Sequence, residues 1–362
     1  MTLTRREFGH LAGFAAASSF VPAMHSQTAQ RPIGWCVIAL GRISMEHFMP
    51  GVKASKTGRI VALVSGHRDK AEKQAAIYGV PPNAIYNYQN MDAIRDNKEI
   101  DAVYIALPNS MHAEYAIRSA KAGKHVLCEK PMCTSIEDAR SMIETCKAAS
   151  RKLMIAYRCQ YDPEHIKAIE MIRSGQIGQV QAIESAFGFN IGPDWRLDRK
   201  LAGGGPLMDV GIYCLNACRY LTGEEPHEIK ANSSVIDKDG RFSTVEENVS
   251  WAMKFPSGIV AACNTTYGGN MVGYFRVHGA KGVIDMQNAF NYDGMHLTAQ
   301  IGRDQKIDEV SPVRDPMEFT HQADHFADCV WNDKTPKTPG EEGLRDMELM
   351  SQIYQAAGLP GL

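Results

Sequence analysis

From residue 32 onward, short apolar runs alternate with longer stretches that are apolar on one face. Residues 32–39 carry Ile33, Trp35, Val37 and Ile38 and read as a strand. A turn at Gly41 leads into a helix to about residue 54. The alternation continues with a strand over 60–65, a helix over 69–78, a short strand at Tyr86 and a helix over 91–96. A strand over 101–107, a helix over 110–122 ended by Gly123, a strand over 124–128, a helix over 135–150 and a strand over 153–157 complete the series. Strands and helices that alternate over short connections predict a parallel sheet covered on both faces.

Beyond about residue 157 the rhythm changes. A helix over 163–174 and the run Gly203-Gly204-Gly205 precede a helix over 206–221. Then come alternating runs rich in β-branched and aromatic residues, over 180–189, 249–255, 259–267, 274–278 and 282–286. Asp239-Gly240, Ser257-Gly258 and Lys281-Gly282 supply turns, and the pattern predicts one mainly antiparallel sheet. Helices near 316–331 and 341–357 close the chain.

The 362 residues are 44% apolar and 22% charged, enough for a full core in two domains of ordinary size. A formal net charge of −2 gives no electrostatic basis for a nucleic-acid partner. No later apolar stretch approaches the roughly 20 residues of a membrane span, so no membrane anchor is expected.

The start of the chain is distinct. Thr4-Arg5-Arg6-Glu7-Phe8 precedes an apolar run over 11–21 rich in Gly and Ala, the layout of a twin-arginine signal. It predicts a leader and short linker over 1–30, use of the twin-arginine (Tat) export machinery, and arrival in the periplasm already folded. Two domains follow, over 31–156 and 157–362. The nine cysteines show no paired spacing, as expected of a chain folded under reducing conditions. Cys214 and Cys218, and His321 and His325, stand at helical spacing. They read as buried thiols and a solvated helix face rather than metal ligands, since no third ligand lies nearby.

The candidate chemistry sits at strand ends. Ala39-Leu40-Gly41-Arg42-Ile43-Ser44 joins the first strand to the first helix. Of the three glycines of a dinucleotide fingerprint it keeps the middle one, which lets backbone approach a pyrophosphate. The second strand ends in Ser65-Gly66-His67-Arg68-Asp69-Lys70. Without an acid at the strand tip, this favours NADP over NAD. Glu129-Lys130-Pro131 ends the strand over 124–128. Pro131 keeps Lys130 out of helical conformation at the sheet edge where a ligand lies. Asp209 and Tyr213 are four apart and share one side of a helix. A Lys–Tyr–Asp cluster makes a proton relay, in which an ammonium is expected to lower the tyrosine pKa toward that of a general base.

The runs Asp101 to His112, Gly123 to Met132, Trp195 to Tyr213 and Pro339 to Gly343 carry a resemblance to the glucose–fructose oxidoreductase family, within the wider Gfo/Idh/MocA group. The resemblance implies an α/β protein: an N-terminal Rossmann domain plus a C-terminal α+β domain with a large, mainly antiparallel open sheet. It implies a sugar-oxidising site in which Lys130, Asp209 and Tyr213 are catalytic. Ser65, Lys70, Tyr157, Arg158, Trp195 and Arg196 fall at NADP-contacting positions. Gly41, Arg42, Ile43, Leu107, Pro108, Asn109, His112, Glu129 and Lys130 complete the cofactor set. Two departures stand out: Ala39 replaces the first fingerprint glycine, and the segment over 23–31 is much shorter than the family's cofactor-wrapping arm. The expected reaction oxidises an aldose at C1 with tightly bound NADP and returns the hydride to a second sugar, a ketose or an aldose. A homo-oligomer is expected by the same resemblance.

Overall fold

The computed structural model describes residues 30–362, so all of the expected leader but its last residue lies outside the described residues. Six strands, β1 (Ile33–Ile38), β2 (Gly58–Val64), β3 (Ile85–Tyr86), β4 (Ala102–Ile105), β5 (His125–Glu129) and β6 (Leu153–Ala156), form a parallel sheet of order β3-β2-β1-β4-β5-β6. All residues of β1, β4 and β6 are buried, as a strand covered on both faces requires. The chain reverses direction across the sheet between β1 and β4, which opens a crevice at their carboxyl ends.

Helical cover comes from α1 (Met49–Ala54), which continues a π-helical segment over Ile43–Phe48, and from α2 (Arg68–Tyr78), α3 (His112–Lys121) and α4 (Ile136–Ala148). The expected helix over 91–96 is a 3-10 helix. Next come α5 (Pro163–Arg173), whose first amides at Glu164 and His165 bond the Asp162 carboxylate, the short α6 (Arg199–Ala202), and α7 (Ile212–Thr222) behind a second π-helical segment, Leu207–Gly211.

The second sheet has eight strands: β7 (Val180–Gly188), β8 (Glu228–Ser234), β9 (Asn248–Lys254), β10 (Val260–Thr266), β11 (Met271–Gly279), β12 (Gly282–Gln287), β13 (His296–Ile301) and β14 (Gln305–Val310). Their order is β14-β13-β12-β11-β7-β10-β9-β8, antiparallel except for β7 against β10. The sequence pattern missed β8, β13 and β14. Both edges of the sheet are among them, and an edge strand such as Gln305-Lys-Ile-Asp-Glu-Val310 needs no apolar face to stay paired.

The last helices, α8 (Met317–Trp331) and α9 (Gly340–Ala356), return to the first sheet. Phe326 of α8 packs on Trp35 of β1 at 5.5 Å, and Trp35 meets Phe48, which stacks on Tyr104. α9 lies against α4 and β6. All nine cysteines are buried free thiols. His321 and His325 differ from expectation, because α8 is packed rather than solvated there. His325 Nε2 accepts from the Lys337 amide at 2.9 Å and faces Cys329, and burial lowers its pKa. Among the described residues no helix is long and apolar enough to cross a membrane, and no cluster of metal-ligating side chains forms.

Candidate active site

The site is built where β5 ends. The Lys130–Pro131 bond is cis, and Lys130 Nζ donates to the Asp209 carbonyl oxygen at 2.6 Å and to Asp209 Oδ1 at 3.3 Å. The other carboxylate oxygen accepts from the Tyr267 hydroxyl at 2.8 Å and pairs with Arg196 Nε at 3.2 Å. Burial pushes the Asp209 pKa up, but Lys130, Arg196 and Tyr267 outweigh it and hold the carboxyl below its usual range. Arg196 also bridges Asp194 and lies 4.7 Å over the Trp195 ring.

Asp209 is placed by the glycine run before it. Gly203 has φ +83°, and a Cβ on Gly204 would sit 2.0 Å from the Tyr354 hydroxyl. The chain is thereby pressed onto buried Glu246, which accepts from the amides of Gly205 and Leu207 and from Tyr354. The π-helical segment starts there and carries Asp209, and α7 behind it carries Tyr213, toward Lys130. Lys130 links the two: its ammonium lies 4.6 Å from the Tyr213 ring centroid. Phe187 and Phe290 pack on the same ring at 5.7 and 5.5 Å.

One expectation is corrected. The ammonium was to lower the Tyr213 pKa, but burial dominates and pushes the phenol above its usual value, with Arg158 as the main opposing influence. Lys130 covers the ring face and spends its hydrogen bonds on Asp209.

The first strand–helix turn fits a dinucleotide. Ala39 adopts φ +76°, a backbone region that glycine usually occupies. A Cβ added at Gly41 would meet nothing nearer than the Ala106 carbonyl at 4.0 Å, so the protein's own packing leaves this turn open for a ligand. Lys70 Nζ reaches across to the Leu40 carbonyl at 3.2 Å and puts a cation beside the turn. Arg68 is directed away, to Glu72 and the Ile85 carbonyl. Ser65 Oγ is engaged with the backbone of His67. Arg42 is exposed and pairs with Glu46, and Ile43 is half-buried beside it.

Most of the other residues expected to touch cofactor have hydrogen bonds within the protein. Asn109, which follows the buried Leu107 and the half-buried Pro108, donates to the Ala202 carbonyl at 2.9 Å. His112 is held between the carbonyls of Leu107 and Pro131, and burial lowers its pKa. Glu129 accepts from Tyr104 at 2.6 Å. Tyr157 is buried near the carboxylates of Asp346 and Glu342, which with burial hold its phenol well above its usual value. Arg158 donates to Asn291, Phe290 and Glu318. Arg158 Nε and the Tyr157 hydroxyl are left without a hydrogen-bond partner. Sequence reasoning missed Tyr267, Glu246 and Glu318, whose partners lie far along the chain.

Two family models match the chain. The family described as "Oxidoreductase family, NAD-binding Rossmann fold" matches residues 33–157, and "GFO/IDH/MocA C-terminal domain" matches 165–285. The chain belongs to the GFO/IDH/MocA oxidoreductase family. It is similar to the aldose-aldose oxidoreductase from Caulobacter crescentus, whose crystal structure holds glycerol, at 40% identity and TM-score 0.87, covering 91% of this chain and 98% of that one. It is 31% identical to D-xylose 1-dehydrogenase [NADP(+)] of Haloarcula marismortui, over 91% of this chain and 93% of that protein. A 3-ketoreductase from Actinomadura kijaniata, solved with NADP and TDP-benzene, shares the fold of this family member at 22% identity and TM-score 0.78.

Proposed function

We propose that the protein oxidises an aldose at C1 to the lactone and passes the hydride to a second aldose, with NADP kept bound between the two steps. The observation that carries this reading is the Lys130–Asp209 pair held against Tyr213 at the end of β5, in a fold whose first turn is open to a pyrophosphate. The 40% identity with an aldose-aldose oxidoreductase supports an aldose as second substrate in preference to a ketose. Lys70 beside the turn, with no acid at the end of β2, supports NADP over NAD.

When bound, NADP supplies the hydride acceptor of the first step and the donor of the second. Tyr213 takes the C1 hydroxyl proton in the oxidation and returns it to the second sugar's oxygen. Lys130 sets positive charge against that oxygen, and Asp209 keeps Lys130 in place. The first sugar loses a hydride and a proton, and the second gains both, so the cycle closes without net redox change. Export through the twin-arginine route with the cofactor already loaded, to the periplasm, belongs to the same reading and is supported by Arg5-Arg6. So does a homo-oligomer.

A second reading, a dehydrogenase that exchanges its cofactor, is favoured by the likeness to a D-xylose 1-dehydrogenase. Purified enzyme given an aldose and no added cofactor separates the two. Lactone and alditol formed in equal amounts over many turnovers support the closed cycle. Turnover that begins only when NADP is supplied, with NADPH released, replaces it with the dehydrogenase.

A further inference from the structure

Tyr213 stands between two ion pairs. On one side Lys130 pairs with Asp209. On the other, Arg158 and Glu318, 4% and 2% exposed, pair at 2.5 Å. The Arg158 guanidinium lies 5.3 Å from the Tyr213 ring centroid and 4.3 Å from that of Tyr292. Carbonyls of Phe290 and Asn291 hold it there at 2.5 and 2.9 Å. Arg158 Nε and Glu318 Oε1 are buried without a hydrogen-bond partner. Stability alone does not account for such a pair. Taking both ions out of water is expensive, and well-packed apolar replacements of buried pairs are often as stable. A fixed cation beside a phenol that must lose its proton has an electrostatic use.

We propose that the Arg158–Glu318 pair sets how readily Tyr213 releases its proton. Arg158 favours the phenolate needed when the first sugar is oxidised, and Glu318 tempers that field so that the phenol re-forms when the hydride returns. The inference rests on the reading of Tyr213 as the proton acceptor. Arg158 and Glu318 are positioning residues here, acting through Tyr213. Other titratable groups around Tyr213 are Lys130 over its face, Glu129 from β5, Cys159 next to Arg158, Tyr292, and Tyr157 and Tyr220 in the small pocket beside it. Glu129 opposes the phenolate, and Arg158 is the strongest influence in its favour.

The test is the pH dependence of single-turnover aldose oxidation, followed by nicotinamide absorbance, with thermal denaturation alongside. Arg158→Met should move the rate-limiting titration up by roughly one to two pH units, the usual effect of one nearby charge. Arg158→Lys, which keeps the charge, should restore most of that shift even where the rate stays low. Glu318→Gln should move the titration the opposite way, to lower pH. If Arg158→Met does not fold, the double variant Arg158→Met/Glu318→Gln leaves no lone buried charge and should still show an upward shift. Profiles that lose rate without moving, or that move the same way in Arg158→Met and Glu318→Gln, overturn the inference and leave the functional reading intact. A wild-type enzyme that reduces no nicotinamide with any aldose removes the functional reading and this inference with it.

Discussion

Asp209→Asn is the most informative single change. It keeps the size of the side chain, deletes its charge and turns one of its two acceptor oxygens into a donor. Lys130 at 3.3 Å and Arg196 at 3.2 Å then lose their shared counter-ion. At an effective dielectric near 20, each contact is worth roughly 5 kcal/mol before desolvation is subtracted. Arg196 is a third exposed and relaxes into water, so its share is discounted. Lys130 is only 11% exposed and cannot do the same. Breaking a buried pair by removing one partner destabilises by about 3–5 kcal/mol, and the solvent-relieved half brings the expectation to about 2–4 kcal/mol.

Urea unfolding reads this as a lower midpoint at unchanged slope. The pH dependence adds a sign. The folded pKa of Asp209 is depressed, so its stabilisation is present above the unfolded value, near 3.9, and is lost as pH falls through the lower folded value. The gap between wild type and Asp209→Asn should be full at neutral pH and should close in acid below that range. Equal midpoints at neutral pH, or a gap that persists in acid, would refute the account of Asp209 as the counter-ion that fixes Lys130.

Tyr213→Phe should lower the hydride-transfer rate by about 10²–10⁴-fold with sugar binding little changed, and an unaltered single-turnover rate would remove Tyr213 from the chemistry. Lys70→Ala should weaken NADP by about 10–100-fold and leave NAD unaffected, read by titration calorimetry, because the cation beside the first turn that would bond the 2′-phosphate is lost. Ala39→Gly relieves a positive φ worth about 1–2 kcal/mol and adds about 0.4–1 kcal/mol of unfolded-chain entropy, so thermal unfolding should show a small net stabilisation. Burial and the neighbouring Arg151 and Lys152 lower the His125 pKa to about 4, so its stabilisation is complete above about 6.5 and falls away as pH drops toward 4. Urea midpoints at pH 5 and 7 should therefore differ less in His125→Gln than in wild type.

Much of the fold was legible because burial on two faces leaves a plain mark. Ile33-Gly-Trp-Cys-Val-Ile38 has no other stable use than an interior strand. Lys130 was legible too, since a lysine followed by proline at a strand end is both held out of a helix and aimed at the crevice. Tyr267 was not. It closes a strand whose alternation reads as ordinary core, and its partner Asp209 is 58 residues away. Glu318 likewise reads as one acid on an amphipathic helix until its partner Arg158, 160 residues earlier, is seen beside it.

Local pattern determined that a parallel sheet with a ligand-binding edge comes first, that a mainly antiparallel sheet follows, and which residues stand at the strand ends. Tertiary structure decided which charges meet. It turned Lys130 toward Asp209, lodged Arg158 and Glu318 behind Tyr213, and made burial the ruling influence on that phenol. Periodicity records what each residue needs from its nearest neighbours, whereas a proton's affinity depends on desolvation and on charges brought close from anywhere in the chain.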